Sequence, residues 1–405
     1  MKKSIIFLAI AALCLGACQK EAKPLDIKAT SDVHDVFDNY LFNWVEGSGL
    51  VNVLQDNEYY ESLRAWKDAA YDEKGLATRS ISYMFFADFG TLRFRFADLP
   101  DSLDIINLWG GMPKKGTIDY VEMQACREIK GMRVVGCRIT QILATNGNWA
   151  FEAEIPSFMD AYYKYIDEHP DLDEQTLENN ARAAGCNALK QDMSRNASAA
   201  NGQFPEWCVY AAKPLLDEVF EGGIDGYDLD LESNNDPLSG TALRTFVQYL
   251  SQFLGPKSEN PETLLIFDNP GSYSSWAWGA QYCNFFVSQK YSTNGGASAT
   301  RASDYPSNLN PASGWVPCQI IPCENVGDTF SQGCNNLEQF ANYVHTTTGQ
   351  RYGHKGGMGS FHGQRDFLMP DDPTNKAEAG KKIPYQHHRY GINAMAKHNY
   401  WKPQQ

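Results

Sequence analysis

The sequence predicts an α/β protein built as a (β/α)₈ barrel. Three observations carry the prediction. Eight short apolar runs follow one another along the chain, and helical stretches separate several of them. Strands alternating with helices imply parallel pairing with right-handed crossovers. No glycine-rich phosphate fingerprint follows the first run, so a doubly wound open sheet, the structural alternative, lacks its usual mark.

The elements read as follows. Asn57 to Ala70 carries Tyr59, Leu63, Trp66 and Ala70 at helical spacing, which predicts a helix packed on something larger. Ile81 to Ala87 is the first strand and Leu103 to Trp109 the second, closed by a Gly-Gly turn at Gly111. Tyr120 to Lys130 is helix, and Met132 to Leu143 is the third strand. Ile224 to Leu231 is the fourth, Leu264 to Asp268 the fifth and Asn284 to Gln289 the sixth. Gln319 to Pro322 and Gly356 to Phe361 complete the eight. Leu243 to Leu254 and Leu337 to Thr347 are further helical candidates. Thr145 to Asn201 is too long for a simple crossover; its helical pieces, Phe158 to Tyr165 and Asp173 to Met193, are expected over the barrel mouth or its flank. Ser292 to Gly314, rich in Gly, Ser, Asn and Pro, reads as a second mouth loop.

The N-terminus reads as a targeting signal. Lys2 and Lys3 precede the apolar run Ser4 to Leu15, which is far short of the roughly 20 residues a spanning helix needs. Leu15-Gly16-Ala17-Cys18 resembles the lipobox of bacterial lipoproteins, where the cysteine is lipidated. The expected organisation is a signal over 1–17, a tether and N-terminal extension over 18–56, and the barrel over 57–401. Lipidated Cys18 would make the protein an outer-membrane lipoprotein of a Gram-negative bacterium, on the cell surface or the periplasmic face.

Composition narrows the partners. A formal charge of -14 argues against nucleic acid or an anionic membrane face. The nine tryptophans suit stacking on sugar rings, although large cores also use aromatics. Of ten cysteines, Cys14 and Cys18 fall in the signal, and the remaining eight form no CxxC pair, so zinc is a poor reading. Several sit in apolar runs, where a buried free thiol is expected. No metal site and no cofactor are expected.

One strand carries an unusual load of charge. In Gly222 to Ser233, GGIDGYDLDLES, three aspartates and a glutamate stand among apolar residues. Side chains alternate on a strand, so Asp228, Asp230 and Glu232 share one face and Tyr227, Leu229 and Leu231 the other. In a barrel the carboxylates point inward and rise toward the catalytic rim. Asp225 has the opposite parity and, beside Gly226, is expected to fix the strand entry. Carboxylates this close cannot all ionise at neutral pH, and the outermost is expected to keep a proton and act as an acid.

Asp225-Gly226-Tyr227-Asp228-Leu229-Asp230-Leu231-Glu232 resembles, in full, the DGxDxDxE signature of glycoside hydrolase family 18. That family holds chitinases and endo-β-N-acetylglucosaminidases on a (β/α)₈ barrel with this signature on the fourth strand. YYESLRAWK and LPDSLDIINLWGG further resemble endo-β-N-acetylglucosaminidase-type lipoproteins of Gram-negative glycan-utilisation systems. The resemblance implies Glu232 as general acid and then base. It implies that Asp230 orients the substrate's 2-acetamido group, whose carbonyl oxygen attacks the anomeric carbon, and that Asp228 shares a proton with Asp230. Gln289-Lys290-Tyr291 is similar to the Gln-x-Tyr of some members, which implies Tyr291 on the acetamido carbonyl and Gln289 lining the same subsite.

The sequence departs from many chitinases at the eighth strand, where Gly356 to His362 carries no tryptophan. Phe361 is the candidate substitute for the floor under the sugar, and Trp109 the candidate for stacking. The departure favours an enzyme that cuts the β-1,4 bond in the N,N'-diacetylchitobiose core of N-glycans over a chitinase. A surface glycan-binding lipoprotein without turnover is the reading from another class, and the presence of Glu232 speaks against it. The expected partners are an N-glycan or other N-acetylglucosamine-containing oligosaccharide and a lipid anchor. The chain is expected to be a monomer, beside other glycan-utilisation lipoproteins.

Overall fold

A computed structural model of the chain describes residues 57–70, 79–90, 94–232, 238–269, 277–289, 319–325, 337, 340–341, 356–368 and 385–397. The signal, the tether with Cys18, the mouth loop 292–314 and Tyr291 lie outside these residues.

All eight predicted strands form. They are β1 (Ile81–Phe86), β2 (Ile105–Leu108), β3 (Arg133–Ile139), β4 (Gly226–Asp230), β5 (Leu264–Asn269), β6 (Phe285–Gln289), β7 (Gln319–Asn325) and β8 (Gly357–Phe361). Each pairs in parallel with the next, and β8 returns to β1, so the sheet closes into a barrel. Closure leaves no edge strand to pair with a stranger.

Strand parity divides the apolar residues into two cores. Tyr83, Phe85, Val135, Ile266 and Val287 fill the barrel interior. Met84, Ile106, Tyr227, Leu229 and Phe267 face outward and form one continuous core with the surrounding helices. That two-sided burial explains why β1 reads as an unbroken apolar run, ISYMFF.

Helix α1 (Asn57–Asp68) closes the lower end, since Ala70 just beyond it joins the interior core. Its buried face is the expected one only in part, with Ala70 buried and Leu63 packed on a buried cluster. Tyr60 and Lys67 are buried while Tyr59 and Trp66 are exposed. The reason is specific: Lys67 donates to Leu103 O at 2.7 Å, and Trp66 lies under the Arg79 guanidinium, 3.7 Å from its ring centre. A lysine thus occupies the position that periodicity assigns to an apolar side chain, and burial lowers its pKa to about 7.

Helix α2 (Ile118–Glu128) follows β2 and is capped by Thr117, whose hydroxyl accepts from Tyr120 N. After β3 come α3 (Asn148–Glu152), α4 (Pro156–Glu168) and α5 (Glu174–Arg195). These pack on one another and on α6 (Glu206–Phe220), which places the long insertion on the flank of the barrel. The sequence reading does not assign α6, which holds Pro214 in its interior. Helices α7 (Gly240–Leu250) and α8 (Gln386–Lys397) complete the described ring, with helical turns also at Leu337 and 340–341. None of the described helices is long and apolar enough to cross a membrane.

The six described cysteines after the signal, Cys126, Cys137, Cys186, Cys208, Cys283 and Cys323, are all free thiols. Cys318 and Cys334 lie outside the described residues.

The start of β4 is pinned as expected. Asp225 accepts from Arg127 Nε at 2.8 Å and Nη2 at 2.7 Å, and from Val134 N at 2.7 Å. Gly226 follows because a Cβ there would stand 2.1 Å from Leu264 O on the next strand. Asp225→Ala would leave a guanidinium and an amide without their acceptor. It is expected to destabilise the fold by about 2–4 kcal/mol, read by urea unfolding. A change within error of wild type would show that the anchor is dispensable.

Candidate active site

The barrel interior turns polar toward the upper end of β4. Asp228 and Asp230 are both buried there, among side chains that lower in the barrel are apolar. Glu232 stands two residues past Asp230, just beyond the strand end, and is exposed at the mouth. Burial therefore decreases along the row from the base to the rim.

Neighbouring strands hold each carboxylate differently. On Asp228, one oxygen accepts from the Tyr83 hydroxyl of β1 and from Asn107 Nδ2 of β2 at 2.8 Å. Asn107 also donates to the Tyr83 oxygen, so the three side chains form a closed buried triangle. On Asp230, Oδ1 accepts from Gln289 Nε2 of β6 at 3.2 Å. The chain around it is clamped: Thr140 Oγ1 donates to Asp230 O at 3.2 Å, and Asn269 Nδ2 donates to Leu231 O. A fourth carboxylate, Asp268 of β5, lies in register with Asp230 and is fully buried.

Crowding sets the protonation. Burial raises Asp228 to about 7, with the bonds from Tyr83 and Asn107 pulling the other way. Asp230 is raised to about 9, first by burial and then by the charges of Glu232 and Asp228. Asp268 is raised well above the carboxylate range, again by burial first and then by Asp230 and Asp228. Protons are thus held most firmly on Asp230 and Asp268, and less firmly on Asp228. Burial is the largest cause at each; Asp230 exceeds the deeper Asp228 because the charges of Glu232 and Asp228 add to it, while Tyr83 and Asn107 pull Asp228 back.

These shifts link stability to pH. A carboxyl whose folded pKa exceeds its unfolded value of about 4 keeps a proton that the unfolded chain releases. Its contribution is full below about pH 4 and is lost as pH rises through the folded value, here about 7 for Asp228. The melting temperature is expected to fall between pH 5 and 8, and Asp228→Asn is expected to flatten that slope. Equal slopes for the two proteins would remove Asp228 from the linkage.

The aromatic candidates meet at the mouth. Trp109, 37% exposed at the end of β2, packs edge-to-face on Phe361 of β8 with ring centres 5.0 Å apart. Phe361 in turn packs edge-to-face on Phe85 at 5.8 Å. One polar and one aromatic wall therefore face each other across the opening, which suits a sugar ring with its polar edges and apolar face. Of the predicted residues the structure assembles Asp228, Asp230 and Gln289 directly, places Glu232 at the rim above them, and joins Trp109 to Phe361. Tyr291 lies outside the described residues.

Three members of the site escape the sequence reading: Tyr83, Asn107 and Asp268. Asn107 carries a visible signal, being an amide inside the apolar run IINL. Asp268 has the same parity as Ile266 and closes the run LLIFD. Tyr83 gives none, since an aromatic in a buried strand looks like core.

Comparison with known proteins fits this arrangement. Residues 181–360, which include the carboxylate strand, match the family model of the endo-β-N-acetylglucosaminidase EndoS TIM-barrel domain. This segment is similar to the EndoS-type TIM barrels. The EndoS-type match runs from α5 to β8 and so spans β4 to β8. An endo-β-N-acetylglucosaminidase of Bifidobacterium longum subsp. infantis is 24% identical over 186 residues, covering 45% of this chain and 33% of that protein. The chain thus aligns with about a third of the length of that curated relative. Among solved structures, the endo-β-N-acetylglucosaminidase of Cordyceps militaris superposes with a TM-score of 0.50 at 18% identity, covering 85% of this chain and 97% of that one. A doubly substituted form of the same enzyme, in complex with fucosyl-N-acetylglucosamine-Asn, superposes equally well, with a TM-score of 0.50 at 17% identity. At such identities the superpositions show the shared fold, a barrel that extends over most of the chain.

Proposed function

We propose that the protein hydrolyses the β-1,4 bond in the N,N'-diacetylchitobiose core of N-glycans, with retention and with the substrate's own acetamido oxygen as nucleophile. One observation carries the reading. Asp228 and Asp230 stand buried in the barrel interior with Glu232 exposed above them, and the EndoS-type match covers this strand. Glu232 is the group with access to a glycosidic oxygen, and it serves as acid and then as base. Asp230, gripped by Gln289, takes the acetamido N–H, and Asp228 receives the proton that Asp230 gives up. This substrate-assisted route differs from the two-carboxylate scheme, in which a protein carboxylate attacks. Tyr291 completes the subsite on the carbonyl side, while Trp109 and Phe361 hold the sugar faces.

The test is incubation with a panel of defined glycoproteins, read by mass spectrometry. Loss of glycan that leaves one N-acetylglucosamine on the protein is the expected result. Binding without any cleavage across the panel would assign the barrel to glycan capture instead, and cleavage of chitin oligomers alone would make it a chitinase.

The placement of the protein in the cell is part of the same proposal. The lipobox-like run ending at Cys18 supports lipid anchoring to the outer membrane. Stable attachment takes more than one acyl chain, as in bacterial lipoproteins. Cys18→Ser is expected to move the protein from the membrane fraction to the soluble fraction. A variant that stays with the membrane would contradict the anchor.

A further inference from the structure

Asp268 is a buried ionisable group that the reaction outlined above does not use. It points into the barrel from β5, in direct register with Asp230, and no part of it reaches solvent. Neither of its side-chain oxygens has a hydrogen-bond partner of good geometry among the described residues. The nearby Gln289 amide donates to Asp230 and acts on Asp268 only in the direction of lowering its pKa, against the larger effect of burial. The charged groups that act on it most strongly are Asp230, Asp228 and Glu232, all carboxylates. An unpartnered polar group in such a seat costs stability. Among the described residues it braces no loop and caps no helix.

We propose that Asp268 is a positioning residue that stays a neutral carboxylic acid and donates its O–H to Asp230 when Asp230 is charged. The inference rests on the function proposed above, since it is the substrate's acetamido N–H that calls for a charged Asp230. The chemistry balances without any further reactant. Asp230 passes its proton to Asp228, the acetamido N–H then donates to Asp230, and the Asp268 O–H donates to the same carboxylate. A protonated carboxyl supplies one donor, and adjacent strands about 5 Å apart bring facing side chains within its reach. Buried carboxylic acids kept neutral as donors are a known way to stabilise charge in an apolar site. In the free protein a protonated Asp230 is a weaker acceptor than the carboxylate, so the bond is expected to form when Asp230 becomes charged.

Two variants separate this role from others. Asp268→Asn keeps shape and a neutral N–H donor, and kcat/KM is expected within about tenfold of wild type. Asp268→Leu keeps bulk and removes the donor, and kcat/KM is expected to fall by roughly 10²-fold, as when one preorganised donor is lost. The Leu variant is expected to melt no lower than wild type, because an unpaired buried polar group has been replaced by an apolar one. Full activity in the Leu variant would overturn the proposal. So would an Asn variant as impaired as the Leu one, because Asp268 would then act through its charge. A readout independent of turnover is the infrared carbonyl stretch of protonated carboxyl groups in the free protein at neutral pH. One component is expected to vanish in Asp268→Asn, and an unchanged band would equally overturn the proposal. If wild type cuts no glycan, the proposed function fails, while the infrared band still decides the state of Asp268.

Discussion

Glu232→Gln is expected to abolish hydrolysis while leaving glycan binding nearly intact. The substitution preserves the size and polarity of the side chain and removes only a transferable proton. Glu232 is the member of the carboxylate row exposed at the mouth, and the deeper aspartates lie below it in closed hydrogen bonds. Neither Asp228 nor Asp230 can reach a leaving-group oxygen without leaving its partners. General acid catalysis contributes roughly 10²- to 10⁴-fold, so turnover is expected to drop by at least the lower figure. Binding should persist because the aromatic wall of Trp109 and Phe361 is untouched. The measurement pairs a cleavage rate with a binding isotherm for the same glycan. Comparable turnover in the purified variant would take Glu232 out of the mechanism.

Asp230→Asn carries the second large effect, and it separates substrate assistance from a protein nucleophile. A stable thiazoline mimics the cyclised intermediate formed when the acetamido oxygen attacks. Such a mimic resembles a species bound more tightly than the ground state and is expected to inhibit competitively. Asp230, once charged, holds the ring nitrogen's proton through a charge-assisted hydrogen bond. Bonds of that kind contribute about 1.5–3 kcal/mol, so Asp230→Asn is expected to weaken inhibition by roughly 10- to 100-fold. Tyr291→Phe should weaken it less, since a neutral hydrogen bond contributes about half as much. An Asp230→Asn variant inhibited as strongly as wild type would exclude Asp230 as the partner of the acetamido group. A glycosyl ester trapped on Asp228 or Asp230 by a fluorinated substrate would exclude substrate assistance altogether.

Much of this site is legible in the amino-acid sequence, for reasons that differ from residue to residue. Asp228, Asp230 and Glu232 announce themselves because three like charges at period two in an apolar strand have no structural explanation. Asp225 and Gly226 follow from their parity and position, and the fold gives them the expected work at the strand entry. Several strands are legible because burial on both faces makes a compact apolar run, as in β1, β2 and β5. What the chain hides is what closure creates. Tyr83 and Asp228 lie 145 residues apart, and only the meeting of β1 with the interior row lets one hydroxyl serve the other. Asp268 comes to stand beside Asp230 only through the register of β4 and β5. The buried face of α1 escapes periodicity for a similar reason, since Lys67 is buried by a carbonyl from outside its helix. Protonation also belongs to the assembled site, because burial and the neighbours that the barrel brings together set how firmly Asp228 and Asp230 hold a proton.

The most direct measurement uses two synthetic N-glycopeptides that differ in one group. In the first the N-acetylglucosamine at the scissile bond is native, and in the second its 2-acetamido group is replaced by hydroxyl. If the acetamido oxygen is the nucleophile, held against the anomeric carbon above Asp230, the first peptide is cut to leave a single N-acetylglucosamine. The second should be cut slower by at least about 10³-fold, given the advantage that a well-oriented intramolecular attack provides. Similar cleavage of both peptides, or no cleavage of the first, would contradict the account.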